Sequence, residues 1–371
     1  MFLPANTGYV ERHRMRMIEQ AGRVAGAWLG CGRPLYAHYG VTHRCNMRCR
    51  MCVVWKSADP TAELAPAQVA NMAGQLYRTG VRMMALGGGE PFVRRDIAEL
   101  VAIFSRCGME VRLLTNGIGV SDGSIDAVVD AGLRHVSISL DTLDPETEKF
   151  IYGGQDVWQT IVDTMRRFRK RMNALPGTLP VMNICVSRLN LDALPGLVEF
   201  AAQEGYFCSF IPVALAPDPE VTDGFAAHAP ELALRPEDMP RVKSAYERLI
   251  ALKRKGAPIA NTTRFLRASL EYFTDGLCRW ECDAGRLYLS ISPEGAIAIC
   301  HHYPPVARHD TPDLVDALRR ANTGGALAAQ RRACPGCIRP CWAEISHVMH
   351  HPGSALEALR CVLQSKSHRS R

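Results

Sequence analysis

The chain lacks any unbroken apolar run of the roughly 18 to 20 residues that a membrane span requires. The apolar stretch 24–29 follows a basic segment but is too short for a signal peptide, and Trp28-Leu29-Gly30-Cys31 is a poor lipoprotein cleavage site. A cytoplasmic protein with no membrane partner is expected. Internal repeats and low-complexity tracts are missing too, which excludes solenoids and compositionally disordered chains. There is also no long basic run interleaved with aromatics. The 44 basic and 37 acidic residues leave a net charge of +7, and the basic ones scatter in small groups at 12–16, 166–171 and 366–371. Nucleic acid is therefore not the expected partner. A mildly positive surface suits an acidic electron-donor protein.

What the chain has in excess is cysteine. Cytosolic proteins keep few disulfides, so clustered cysteines there point to metal. Of the 14 cysteines, three lie at 45, 49 and 52, seven lie between 278 and 361, and four (Cys31, Cys107, Cys185, Cys208) stand alone. Isolated cysteines usually pack as small hydrophobes.

From about residue 36, short strand-like runs alternate with helix-like runs. Strands are expected at 35–41, 82–86, 110–114, 135–140, 180–187 and 207–213. Helices are expected from Asp96 (with Glu99 as a capping box) to Gly108, and at about 124–132, 156–172, 193–204 and 237–255. Such alternation predicts an α/β fold with parallel strands and helical crossovers; six units predict a partial (β/α)6 TIM-like barrel. Two strands carry polar residues on one face: His135, Ser137, Ser139 and Asp141 on one, Asn183, Cys185 and Ser187 on the other. Buried parallel strands are normally apolar on both faces, so these imply either a wet interior or half-exposed strands. The expected organisation is a helical extension over 1–35, the barrel over 36–235, a helical linker over 236–265 and a small Cys-rich module over 266–371. In that module 286–291 and 296–301 flank Ser292-Pro-Glu-Gly295 as a hairpin.

Cys45-Asn-Met-Arg-Cys49-Arg-Met-Cys52 directly follows the first strand, at the mouth of the expected barrel. Three thiolates from one loop can hold three irons of a 4Fe-4S cluster, leaving the fourth iron open to a substrate. Zinc would need a fourth ligand, with His43 the nearest histidine.

The C-x3-C-x2-C spacing after a first strand resembles the radical S-adenosylmethionine (radical SAM) superfamily. The resemblance implies that the open iron takes the amino and carboxylate groups of S-adenosylmethionine, and that reductive cleavage yields a 5′-deoxyadenosyl radical which removes a hydrogen atom from substrate. Met51 departs from the aromatic residue usual before the third cysteine, and would pack on the adenine. Gly87-Gly88-Gly89-Glu90-Pro91 looks like the family's glycine-rich motif that holds the methionyl amino group. Leu114-Thr115-Asn116-Gly117 and Ser139-Leu140-Asp141 resemble segments that contact the ribose and carboxylate, and Asn183 joins them. The likeness covers about 36–215.

The second group, Cys278, Cys282, Cys300, Cys334, Cys337, Cys341 and Cys361, resembles the SPASM and twitch extensions, which hold auxiliary iron–sulfur clusters. The first half matches, including Gly295 before Cys300. The second half is shortened and one cysteine short, so seven thiolates imply one or two auxiliary 4Fe-4S clusters, one with an open iron, spectator cysteines, or a ligand such as His301 or His302. Cys334-Pro-Gly-Cys337 also reads as the knuckle of a structural zinc site.

The resemblance implies an enzyme. About 35 residues precede the first strand, too few for a fused leader-peptide-binding domain, so a small molecule of a natural-product or cofactor pathway is the expected substrate. A short ribosomally made peptide, modified by a SPASM-type maturase, is the alternative. A non-enzymatic metalloprotein would explain the cysteines but not the glycine-rich motif. Cys185 and Cys208 are candidate hydrogen-atom donors, and a flavodoxin or ferredoxin is the implied electron donor.

Overall fold

The structure, a computed structural model, describes residues 33–173, 175, 177–212, 229–275, 280–300, 303–323, 325, 329, 334 and 336–367. Nearly all of the expected N-terminal extension, together with Cys31, Cys278, His301 and His302, lies outside the described residues.

Six strands run parallel and pair in chain order: β1 (Tyr36–Thr42), β2 (Met83–Gly88), β3 (Glu110–Thr115), β4 (His135–Ser139), β5 (Leu179–Val186) and β6 (Phe207–Pro212). Helices Pro66–Thr79, Ile97–Arg106, Asp122–Asp130, Trp158–Met172 and Leu194–Glu204 make the crossovers, with a short helix Pro145–Ile151 added after β4. The sheet does not close: β6 is one edge, and the other is extended past β1 by β7 (Tyr288–Ile291), β8 (Ala296–Ala298) and β9 (Ala307–Arg308). The fold is thus α/β with a partial barrel. β7 pairs parallel to β1, so the Cys-rich module continues the barrel's own sheet.

Period-two alternation sorts the strands into a dry and a wet face. Val111, Leu113, Val136, Ile138, Met182 and Ile184 face the helices and are fully buried. Each such side chain contributes about 1.5–3 kcal/mol of burial. Their neighbours Arg112, Leu114, His135, Ser139, Asn183 and Cys185 point inward and keep accessible surface. The inward faces of β4 and β5 therefore keep some accessible surface at His135, Ser139, Asn183 and Cys185.

One local expectation fails. The helix after β2 begins at Ile97, but Asp96 does not cap it, because Arg94 takes both its carboxylate oxygens at 2.9 and 2.6 Å. The reciprocal cap is instead Ser121 with Ser124, at the start of Asp122–Asp130. The hairpin at Ser292–Gly295 forms, with Gly295 N–H donating to Ser292 O, though β8 stops at Ala298. Among the described residues no helix is long and apolar enough to cross a membrane.

Candidate active site

The cysteine loop leaves β1 through an irregularity: Gly40 pairs with Gly87, but Thr42 pairs with Gly88, so one residue is skipped and the chain swings over the barrel mouth. The loop then lies on the glycine-rich turn. Gly89 N–H donates to Thr42 O at 2.7 Å and Glu90 N–H to Arg44 O at 2.8 Å. A Cβ on Gly88, whose φ is +116°, would come 2.3 Å from Thr42 O, and one on Gly89 would come 2.1 Å from Arg44 O. The glycines are thus required by the chain itself, to let the loop dock.

Side chains lock the docked loop. Arg44 makes a bidentate pair with Glu63 at 2.8 and 2.9 Å, and Thr42 bonds the same carboxylate. Arg94, nearly wholly buried, donates to Val41 O and Leu64 O, both at 2.9 Å. Asn116 Nδ2 donates to Asn46 Oδ1 at 2.8 Å and reaches Cys45 Sγ at 3.8 Å, while Met47 N–H points at the same sulfur at 3.4 Å. Glu63, Arg94 and Asn46 carry no spacing signal in the sequence; only the fold brings them together.

Cys45, Cys49 and Cys52 all sit on this loop, and no disulfide joins any of the described cysteines. Burial pushes the Cys45 and Cys49 thiols up, the latter reinforced by its neighbours Cys52 and Cys45. Among the described residues no three His, Cys, Asp or Glu side chains converge on one metal ion. A four-iron cluster asks for something else, since each thiolate binds a different iron at a different corner. Three thiols on one braced loop, two of them desolvated and one met by N–H groups of Met47 and Asn116, fit that group.

The residues expected to hold the cosubstrate divide by geometry. Asn116, Ser139 and Asn183 face the interior near the mouth and stay partly accessible, with Ser139 directly opposite Asn183 in register. Glu90 is 0% exposed and already spent: Thr115 Oγ1 and the N–H groups of Asn116 and Phe92 all donate to it, at 2.8 to 3.0 Å. Burial nevertheless lifts its carboxyl to about 7. Glu90 and Thr115 therefore tie the end of β2 to the end of β3. Met51 is buried in the core.

Asp141 lies just past β4, where its Oδ1 accepts the Cys185 N–H at 2.6 Å and extends the ladder to β5. Its Oδ2 is buried with no hydrogen-bond partner. Glu148, absent from the sequence reading, accepts the N–H groups of Asp141 and Thr142. Burial raises both carboxyls, and the nearby Asp141 charge adds to the rise at Glu148. Asn190 donates to the carbonyls of Asp141 and Cys185, both at 2.8 Å, and completes the brace. Cys185 thus faces the interior, in the field of Cys49 and Cys52. Cys208 does not: its thiol turns to the helix layer and bonds Leu197 O at 3.6 Å.

The C-terminal thiols also separate. Cys282 Sγ lies 2.9 Å from the Tyr288 hydroxyl. Tyr288 feels Cys282, Cys300 and Cys337; Tyr303 feels Cys334, Cys300 and Cys282. These four thiols lie in the neighbourhood of Tyr288 and Tyr303, and Gly336 N–H points at Cys334 Sγ at 3.4 Å. Cys341 sits apart, against Tyr36 and Arg112. Cys361 packs with Val181 and Phe207 and bonds Ile259 O at 3.6 Å, so it joins neither group.

Comparison with known proteins matches this arrangement. Residues 39–199 match the Radical SAM superfamily. The PqqA peptide cyclase of Methylobacterium sp. (strain 4-46) is 31% identical over 166 residues, 44% of this chain and 42% of that protein. The PqqA peptide cyclase of Methylobacterium nodulans gives the same identity and coverage. The matched stretch thus spans about two-fifths (42%) of these curated relatives. Among solved structures, Streptococcus suis SuiB bound to S-adenosylmethionine superposes with a TM-score of 0.61 at 14% identity, over 80% of this chain and 68% of that one. Native anSMEcpe with bound AdoMet gives 0.57 at 13% identity, over 91% and 100%. Those two likenesses are of fold. Residues 39–199, with their three-cysteine loop docked on a glycine-rich strand end, form a radical SAM superfamily domain.

Proposed function

We propose that this protein is a radical SAM enzyme acting on a short ribosomally made peptide. The observation that carries the reading is the loop of Cys45, Cys49 and Cys52, docked on Gly88 and Gly89 at the mouth of the partial barrel. Cys45, Cys49 and Cys52 would hold the 4Fe-4S cluster. The chemistry the bound cluster supplies is reductive cleavage of S-adenosylmethionine to a radical that takes a hydrogen atom from substrate.

The chain's own residues position and enclose. Asn116, Ser139 and Asn183 are the accessible polar groups for the cosubstrate, with Gly88 and Gly89 offering backbone. Glu90 and Thr115 hold that edge in shape; Met51 supports the loop from the core. Asp141 offers one unpartnered carboxylate oxygen, suited to a hydroxyl. Cys185 is the retained candidate for a hydrogen-atom donor. A flavodoxin or ferredoxin in the cytoplasm would supply electrons.

Peptide now ranks above small molecule because the curated relatives at 31% identity are peptide cyclases. The barrel over 36–235, the linker over 236–265 and the module over 266–371 are part of this reading. Cys282, Cys300, Cys334 and Cys337 would bind one auxiliary 4Fe-4S cluster, since four thiolates match the four irons of a single cluster.

The test is anaerobic reconstitution with iron, sulfide and zinc counted per chain, followed by 5′-deoxyadenosine release under strong reductant. About 8 irons per chain, falling by about 4 when Cys45, Cys49 and Cys52 are all replaced by alanine, supports the reading. About 4 irons plus zinc makes the C-terminal module structural. No deoxyadenosine from the loaded protein sinks the enzyme reading. Co-encoded short peptides, examined by mass after turnover, decide the substrate class.

A further inference from the structure

Arg112 stands on the inward face of β3, in one row across the barrel with His38, Ala85, His135 and Leu179. It lies four residues before Asn116, or about 13 Å below the mouth at the rise of a strand. Its surroundings do not neutralise it. Among the described residues its one hydrogen bond is Nη1 to Ser137 Oγ at 2.9 Å, and no carboxylate forms an ion pair with it. Glu110 is the nearest acid in field, but its carboxylate faces the His135 ring at 3.3 Å. Tyr36 and Cys341 are the other groups facing the guanidinium. Burial pulls its pKa down, the mark of a cation paying for lost solvent.

A guanidinium has five N–H donors in a planar fork that matches a carboxylate edge to edge. Half-buried and bonded once among the described residues, to a neutral hydroxyl, it keeps N–H donors in hand for a ligand. The side chain is enclosed by the barrel yet keeps accessible surface, as do Leu114 above it and His135 beside it.

We propose that Arg112 binds a carboxylate of the substrate in the barrel interior, fixing which substrate residue lies under the mouth. This rests on the peptide reading above, where the carboxylate belongs to an acidic side chain or to the C-terminus. The span to the mouth then places the reacting carbon on the anchored residue or its immediate neighbour.

The test uses reconstituted protein with S-adenosylmethionine and ligand-observed NMR titration. The probes are acetyl-Gly-Gly-Glu-Gly-Gly-amide, its Gln counterpart, acetyl-pentaglycine as acid and as amide, and glutarate. Wild type is expected to prefer a carboxylate probe over its neutral counterpart by about tenfold or more. Arg112→Gln erases that preference, Arg112→Lys keeps part of it, and Ser137→Ala keeps it while leaving the charge in place. The Lys and Ala variants keep the test decisive if Arg112→Gln folds poorly. Preference for the Glu peptide assigns a side-chain carboxylate; preference for pentaglycine acid assigns the terminus. Arg112-dependent binding of glutarate with no peptide bound keeps this site and sinks the peptide reading. No carboxylate preference with any probe, or a preference that survives Arg112→Gln, overturns the proposal.

Discussion

Replacing Gly89 by alanine tests the docking of the cysteine loop directly. The added Cβ would sit 2.1 Å from Arg44 O, 2.7 Å from Arg44 C and 2.8 Å from His43 O. Relief to ordinary contact requires about 1 Å of movement, and all the atoms met are backbone, which cannot rotate away. The move stretches two bonds, Gly89 N–H to Thr42 O and Glu90 N–H to Arg44 O. Overpacking costs about 1–3 kcal/mol and two weakened hydrogen bonds about 0.5–1.5 kcal/mol each, so about 2–6 kcal/mol acts on the loop. The barrel strands, held by their own ladders and core, should persist. The expected outcome is near-normal circular dichroism with the first cluster's iron largely lost, and deoxyadenosine formation down about 100-fold from a 1 Å misplacement. Gly74→Ala is the control: it lies in the helix Pro66–Thr79, where the nearest atom to a new Cβ is the end of Arg78 at 4.0 Å. It should leave iron and activity alone and stabilise by about 0.5–1 kcal/mol. Full iron and full activity in Gly89→Ala would show that the loop does not depend on this approach, and the account of the motif would be wrong.

Other outcomes follow from the same geometry. Cys208→Ala should cost about 1 kcal/mol of stability from a small buried void and leave turnover and product unchanged; a changed product, read by mass, would place its thiol in the reaction after all. Cys361→Ala should leave the metal content untouched whereas Cys300→Ala lowers it, and equal losses by elemental analysis would refute the separation of the two thiols. Glu344 accepts the Thr262 N–H and an Asn261 amide, and burial lifts its carboxyl to about 7. Between an unfolded value of about 4.3 and that value the native state holds a proton the unfolded state has released. Stability is therefore fully present below about pH 4 and is lost as pH rises toward 7; Glu344→Gln should flatten that fall in urea titrations across pH 5 to 8, and an unchanged slope would exclude Glu344 as its source. Glu63→Gln keeps the shape but weakens the bidentate pair with Arg44, so iron retention during gel filtration should fall while the melting temperature moves little; unchanged retention would leave the brace without function.

The sequence by itself determined the class of fold and the three-cysteine loop, because both are written in local pattern. Strand and helix patterns repeat along the chain, and Cys45, Cys49 and Cys52 share one loop, so no long-range contact is needed to bring them together. The hairpin around Gly295 is local in the same sense. Asp96 misled because a cap is decided by competition: Arg94, pinned by Val41 O and Leu64 O, claims the carboxylate first. What the tertiary structure alone decided is which way side chains face and what they are already bonded to. Glu90 reads as part of the cosubstrate motif in sequence and in the fold already accepts three hydrogen bonds. Cys185 and Cys208 look alike in sequence, yet their strands turn one thiol to the interior and the other to a helix. Cys341 and Cys361 continue a cysteine series on paper, but the packing of the C-terminal helices sends them to different walls. Arg112 had no signal, because a charge's worth depends on the partners that distant strands bring or fail to bring.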